Sequence, residues 1–133
     1  MGAGILAVAF QYLGVPYRYG GNDTTGMDCS GFVRKVFEHF GIDAPRRARD
    51  YVSFGEPVPL DSIIPGDILL FKFEHGYVDH VGIYAGNDEV IHSASKRGVI
   101  VESLKYIRKN LVGARRVYIR DNPSNTYDTV VGF

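Results

Sequence analysis

The dipeptide Pro65-Gly66 divides this chain into two kinds of sequence. Before it, the apolar residues recur at helical spacing. After it they fall into short alternating or continuous runs broken by turn formers. Helices followed by strands predict an α+β fold, with N-terminal helices packed on a C-terminal antiparallel β-sheet. An alternating α/β sheet is excluded. At 133 residues the chain is long enough to bury a core as one domain, expected over 1–120, with 121–133 as a surface tail.

The helical half centres on residues 26–41, Gly-Met-Asp-Cys-Ser-Gly-Phe-Val-Arg-Lys-Val-Phe-Glu-His-Phe-Gly. Asp28 suits the N-cap and Gly41 the C′ position, with Phe32, Val33, Val36, Phe37 and Phe40 forming one apolar stripe between them. Cys29, the only cysteine, then falls in the first turn. Two readings of it stand together. The positive end of the helix dipole favours the thiolate and lowers the thiol pKa, making a reactive cysteine. Its spacing from Phe32 and Val33 also puts it on the buried stripe, where free cysteine behaves as a small hydrophobe.

Upstream, residues 4–13 are expected to form a short helix ending at Gly14, and the loop 15–26 carries Tyr17 and Tyr19 just ahead of Cys29. Downstream, residues 45–54 suit a short helix opened by Pro45. Arg46, Arg47 and Arg49 there are expected on a solvated face. Residues 55–65 read as an extended connection.

Beyond Pro65-Gly66, residues 67–73 predict a buried strand and Asp79-His80-Val81-Gly82-Ile83-Tyr84 an alternating one. A hairpin loop at Ala85-Gly86-Asn87 leads into a returning strand over 88–94. With Tyr84 opposite Asp88, His80 stands directly opposite His92 on the same face. A one-residue slip would separate them. Strands over 99–104 and 113–119 complete the sheet, joined by a polar turn or short helix at 105–110.

Fifteen basic and fifteen acidic residues leave no field to steer the chain to nucleic acid, and no apolar run is long enough to span a membrane. One cysteine excludes an internal disulfide. The opening residues lack a signal peptide's basic region and cleavage site. A cysteine at a helix start with two histidines on a sheet is what acyl transfer through a thiol requires. The same residues with Asp79 would also suit zinc, and a binding module without catalysis is the third possibility.

The runs Gly14-Val15-Pro16-Tyr17-Arg18-Tyr19-Gly20-Gly21, Asp28-Cys29-Ser30-Gly31-Phe32, Pro65-Gly66-Asp67, Asp79 to Tyr84 and Val90-Ile91-His92-Ser93-Ala94 resemble, in that order, the motifs of the NlpC/P60 family of bacterial cell-wall peptidases. The resemblance spans roughly residues 4–119 and implies a minimal papain-like fold. It also implies a nucleophile at Cys29, a catalytic histidine at His80 and an orienting residue at His92. Tyr17 would lie at the oxyanion, and Asp28 and Ser30 would shape the substrate subsites. The implied substrate is the peptidoglycan stem peptide, cut between D-γ-glutamate and diaminopimelate or lysine. No metal or other cofactor is implied, and the domain is expected to be an extracytoplasmic monomer. A CHAP-like amidase or an acyltransferase would use the same thiol. One departure concerns specificity: where many members carry a glutamine shortly after the Pro-Arg pair, this chain has Asp50-Tyr51.

Overall fold

Asp28 begins the central helix as expected. Its backbone is extended, and its Oδ1 accepts a 2.7 Å hydrogen bond from the Gly31 N–H. The carboxylate thereby satisfies one of the free donors of the first turn. The structure, a computed structural model, describes residues 2–119. In it α1 spans Gly2–Phe10 and α2 spans Cys29–Glu38. α2 stops where Gly41 takes a positive φ of 74°. The Gly41 N–H then bonds the Glu38 carbonyl and the Ile42 N–H bonds that of Phe37. This pair of bonds is the Schellman closure.

The apolar stripe of α2 is buried as its spacing required, with Phe32, Val33, Val36 and Phe37 all at 0% exposure. Burying each such side chain contributes about 1.5–3 kcal/mol, so this stripe is the main reason α2 stays on the sheet. Ile5 and Ala9 bring α1 into the same core.

The strands are β1 (Asn22–Asp23), β2 (Gly26–Met27), β3 (Glu56–Pro57), β4 (Ile68–Phe71), β5 (His80–Gly86), β6 (Glu89–Ala94), β7 (Gly98–Ser103) and β8 (Leu111–Arg116). β1 and β2 form a small hairpin within a segment expected to be irregular. The other six make one antiparallel sheet in the order β3-β8-β4-β5-β6-β7. β8 therefore returns to the far side of β4 and does not extend the meander. Alternation divides the sheet's side chains between two layers. Ile68, Leu70, Val81, Ile83, Ile91 and Val99 meet the helices, while Leu69, Phe71 and Val90 pack beneath with Leu104 and Ala114.

Three local expectations are corrected. The helix after Pro45 is a 3-10 helix confined to Ala48–Ser53. Arg47 and Arg49 lie on the solvated face expected of them, Arg47 3.2 Å from Asp50 and Arg49 4.4 Å above the Tyr77 ring, whereas half-buried Arg46 pairs with Asp28. The β5–β6 turn is made by Asn87 and Asp88, both with positive φ, and Gly86 pairs with Glu89. A bulge between Tyr84 and Gly86 then pairs Tyr84 with Val90, two residues from the expected partner. The expected tail, 121–133, lies outside the described residues.

Candidate active site

A slip of two residues preserves the side-chain face where a slip of one would invert it. His80 and His92 therefore still meet, as diagonal neighbours and not as a directly opposed pair. His80 Nε2 lies 2.7 Å from His92 Nδ1, and the rings stand at 90°. Gly82 makes the diagonal possible. A Cβ there would sit 2.9 Å from the Cβ of His92 and 2.7 Å from Val90 Cγ2. Without that side chain, His92 can lean across β5 towards His80.

The pair continues onto the next strand. His92 Nε2 is 2.8 Å from Glu102 Oε1, and Arg97 Nη2 is 3.1 Å from the same oxygen. His80, His92 and Glu102 thus step diagonally across β5, β6 and β7. Sequence reasoning missed Glu102. The signal was present in β7, where Val99 faces the helices and alternation puts Glu102 on the histidine face.

Cys29 lies beside the start of β5, the strand that carries His80. Met27, in β2, donates its N–H to the Pro16 carbonyl, and its own carbonyl accepts a buried 2.7 Å bond from Ser93 Oγ. That bond pins the start of α2 to the strand carrying His92. Main-chain N–H groups of Val81 and Ser30 face the sulfur, so the thiol sits at the strand start that holds His80. Cys29 is only 9% exposed, yet it lines an open cleft of about 320 Å³ together with Tyr17, Tyr19, Asp28, Ser30 and Asp79.

The electrostatics overturn one expectation. Burial pushes the Cys29 thiol up to about 11, aided by the negative charges of Asp28 and Asp79. The two N–H groups recover only part of this. The helix dipole does not prevail against desolvation here. Burial likewise pushes His80 down to about 3. The neighbouring His92 adds to this and Asp79 opposes it. His92 is lowered by burial too, against the pull of Glu102. Burial thus disfavours a charge on the sulfur and on the imidazole alike, the direction expected of a neutral thiol beside a neutral ring.

Tyr17 and Asp28 line the same cleft as Cys29. Burial raises the Tyr17 phenol, with the charge of Asp28 adding to it, so the phenol remains a proton donor. Asp28 does more than cap. Arg46 grips both its oxygens, at 3.0 and 3.1 Å, and the Gly20 N–H reaches Oδ2 at 3.0 Å. Ser30 is 4% exposed and donates to the Arg46 carbonyl at 2.7 Å. Both residues hold the cleft wall through internal bonds. Tyr51, at the departure from the family pattern, is fully buried and donates its hydroxyl to the Ser30 carbonyl at 3.3 Å.

Asp79 is committed elsewhere. Although burial acts the other way, the N–H groups of Phe73, Glu74 and His75 and the His75 ring hold its carboxyl below the usual range. With the two histidines also bonded to each other, the zinc reading loses its donors. Among the described residues no three His, Cys, Asp or Glu side chains group to hold a metal ion. His39 packs at the end of α2 with its Nε2 2.7 Å from the Tyr12 hydroxyl. No helix among the described residues is long and apolar enough to cross a membrane.

Helices docked on one face of a six-stranded antiparallel sheet, with a cysteine at the helix start, define a papain-like α+β domain. The family model for NlpC/P60 matches residues 14–116. The chain is 40% identical over 113 residues to the Escherichia coli protein "Murein DD-endopeptidase MepS/Murein LD-carboxypeptidase", covering 83% of this chain and 60% of that one. It is 39% identical over 120 residues to the Bacillus subtilis "Gamma-D-glutamyl-L-lysine dipeptidyl-peptidase", covering 86% and 40%. The crystal structure of the NlpC/p60 domain of peptidoglycan hydrolase SagA superposes with a TM-score of 0.80 at 32% identity, covering 88% of this chain and 99% of that one. The chain belongs to the NlpC/P60 family and is a peptidase domain. It spans less than two thirds of the length of the two curated relatives.

Proposed function

We propose that this domain is a cysteine endopeptidase that hydrolyses peptidoglycan stem peptides at the bond between D-γ-glutamate and diaminopimelate or lysine. It would act as a monomer outside the cytoplasm, at the cell envelope where that substrate lies. Residues 1–120 would form the catalytic unit. The observation that carries the reading is the seating of Cys29 against Val81 at the mouth of a cleft, one residue from a histidine that is itself bonded to a second histidine.

Because burial disfavours either charge alone, the proton leaves Sγ for His80 as the substrate carbonyl arrives. The sulfur electron pair forms the S–C bond and the carbonyl π pair moves onto oxygen. The Cys29 N–H and the Tyr17 hydroxyl stabilise that oxyanion. Collapse breaks the C–N bond, with His80 returning its proton to the leaving amine. Water, deprotonated by His80, then releases the acyl group from sulfur. His92 holds the His80 ring in place. Asp28 and Ser30 shape the subsites by fixing the wall that carries the sulfur.

The linkage is supported by the name of the Bacillus subtilis relative, which specifies a γ-D-glutamyl-L-lysine bond. The test is digestion of defined peptidoglycan fragments with products identified by mass spectrometry. Fragments cut after D-γ-glutamate are expected. Cys29→Ala and His80→Ala should abolish them with the fold intact, and His92→Ala should leave measurable turnover. Products cut only at a D,D cross-link would refute the proposed bond, and an active Cys29→Ala protein would refute the mechanism.

A further inference from the structure

The hydrogen bond between His80 and His92 has no intrinsic direction. Either ring can donate, and the two arrangements differ in what His80 offers the sulfur. If His80 donates from Nε2, its Nδ1 carries a lone pair and can take the thiol proton. If His92 donates from Nδ1, His80 carries its proton on Nδ1 and cannot act as a base. The pair alone does not choose between these states.

Glu102 supplies the asymmetry. Its side chain is 12% exposed, and its Oε1 forms an ion pair with Arg97, accepting from Nη2 at 3.1 Å. A carboxylate only accepts, so the 2.8 Å contact with His92 Nε2 requires the proton of neutral His92 to sit on Nε2. His92 Nδ1 is then a lone pair, and at 2.7 Å it requires a proton on His80 Nε2. The lone pair of His80 is left on Nδ1, the nitrogen free of this row. We propose that Glu102 is a positioning residue which, two rings away from the sulfur, fixes the tautomers of both histidines and keeps His80 in its basic form. The inference rests on the reading of Cys29 and His80 as nucleophile and base.

The experiment uses protein labelled with ¹⁵N-histidine, in which long-range ¹H–¹⁵N spectra distinguish the two tautomers of each ring. The wild-type protein should show both His80 and His92 protonated on Nε2. Glu102→Ala should move His80 towards the Nδ1–H form and lower kcat at least tenfold with KM within twofold. Glu102→Gln, nearly the same shape but able to donate or accept, should fall between. A wild-type His92 protonated on Nδ1 would overturn the proposal whether or not any variant folds. So would a Glu102→Ala protein with unchanged tautomers and kcat within twofold. A tautomer shift with unchanged kcat would uphold Glu102 as the positioning group and remove His80 as the base. The spectra and the turnover assay therefore fail separately.

Discussion

Acid should destabilise this protein through His80, with a sign that separates a neutral resting site from a charged one. The folded ring is pushed down to about 3 by burial, whereas an unfolded imidazole titrates near its ordinary value of about 6.5. Below that value the unfolded chain binds a proton that the folded chain refuses, so stability falls as pH drops from about 6.5 towards 3. At pH 5 the unfolded ring is about 1.5 units into its titration. At 1.36 kcal/mol per unit this is a loss of about 2 kcal/mol, trimmed to about 1–2 kcal/mol because the residue is not wholly sealed from solvent. Urea unfolding at pH 7 and pH 5 measures it, with His80→Asn as the reference that lacks the titrating ring. Carboxylate effects such as that of Asp79 occur in both proteins and cancel in the comparison. The wild-type midpoint should fall between the two pH values by roughly 1 M urea more than that of the variant. A thiolate–imidazolium pair would raise the folded pKa of His80 instead. Stability would then persist at pH 5 and decline as pH rises through the raised pKa. That outcome would refute the neutral-pair description.

Cys29, with its thiol pushed up to about 11, should react with iodoacetamide at pH 7 on the order of 10²-fold more slowly than free cysteine, and its rate should still be climbing at about pH 10. A fast rate already level between pH 5 and 7 would contradict this. Gly31→Ala should cost about 1–3 kcal/mol, because its Cβ would stand 2.2 Å from the Gly21 carbonyl oxygen and 2.9 Å from the capping oxygen of Asp28. Differential scanning calorimetry should record a Tm lower by roughly 5–10 °C, and an unchanged Tm would mean that the loop yields freely.

The sequence by itself determined the helices-then-sheet order and the span of α2, since Asp28, the apolar stripe and Gly41 act over contacts only a few residues apart. It also determined that His80 and His92 share a face, because that depends on parity, and parity survived a register error of two residues. Tertiary structure decided the rest. The diagonal row from His80 to Glu102 depends on the bulge after Tyr84 and on the empty space above Gly82, both results of strand pairing. The thiol's direction of shift was misread for a related reason. A helix dipole can be inferred from one turn of sequence, but the desolvation that outweighs it at Cys29 exists only once the sheet closes over the sulfur.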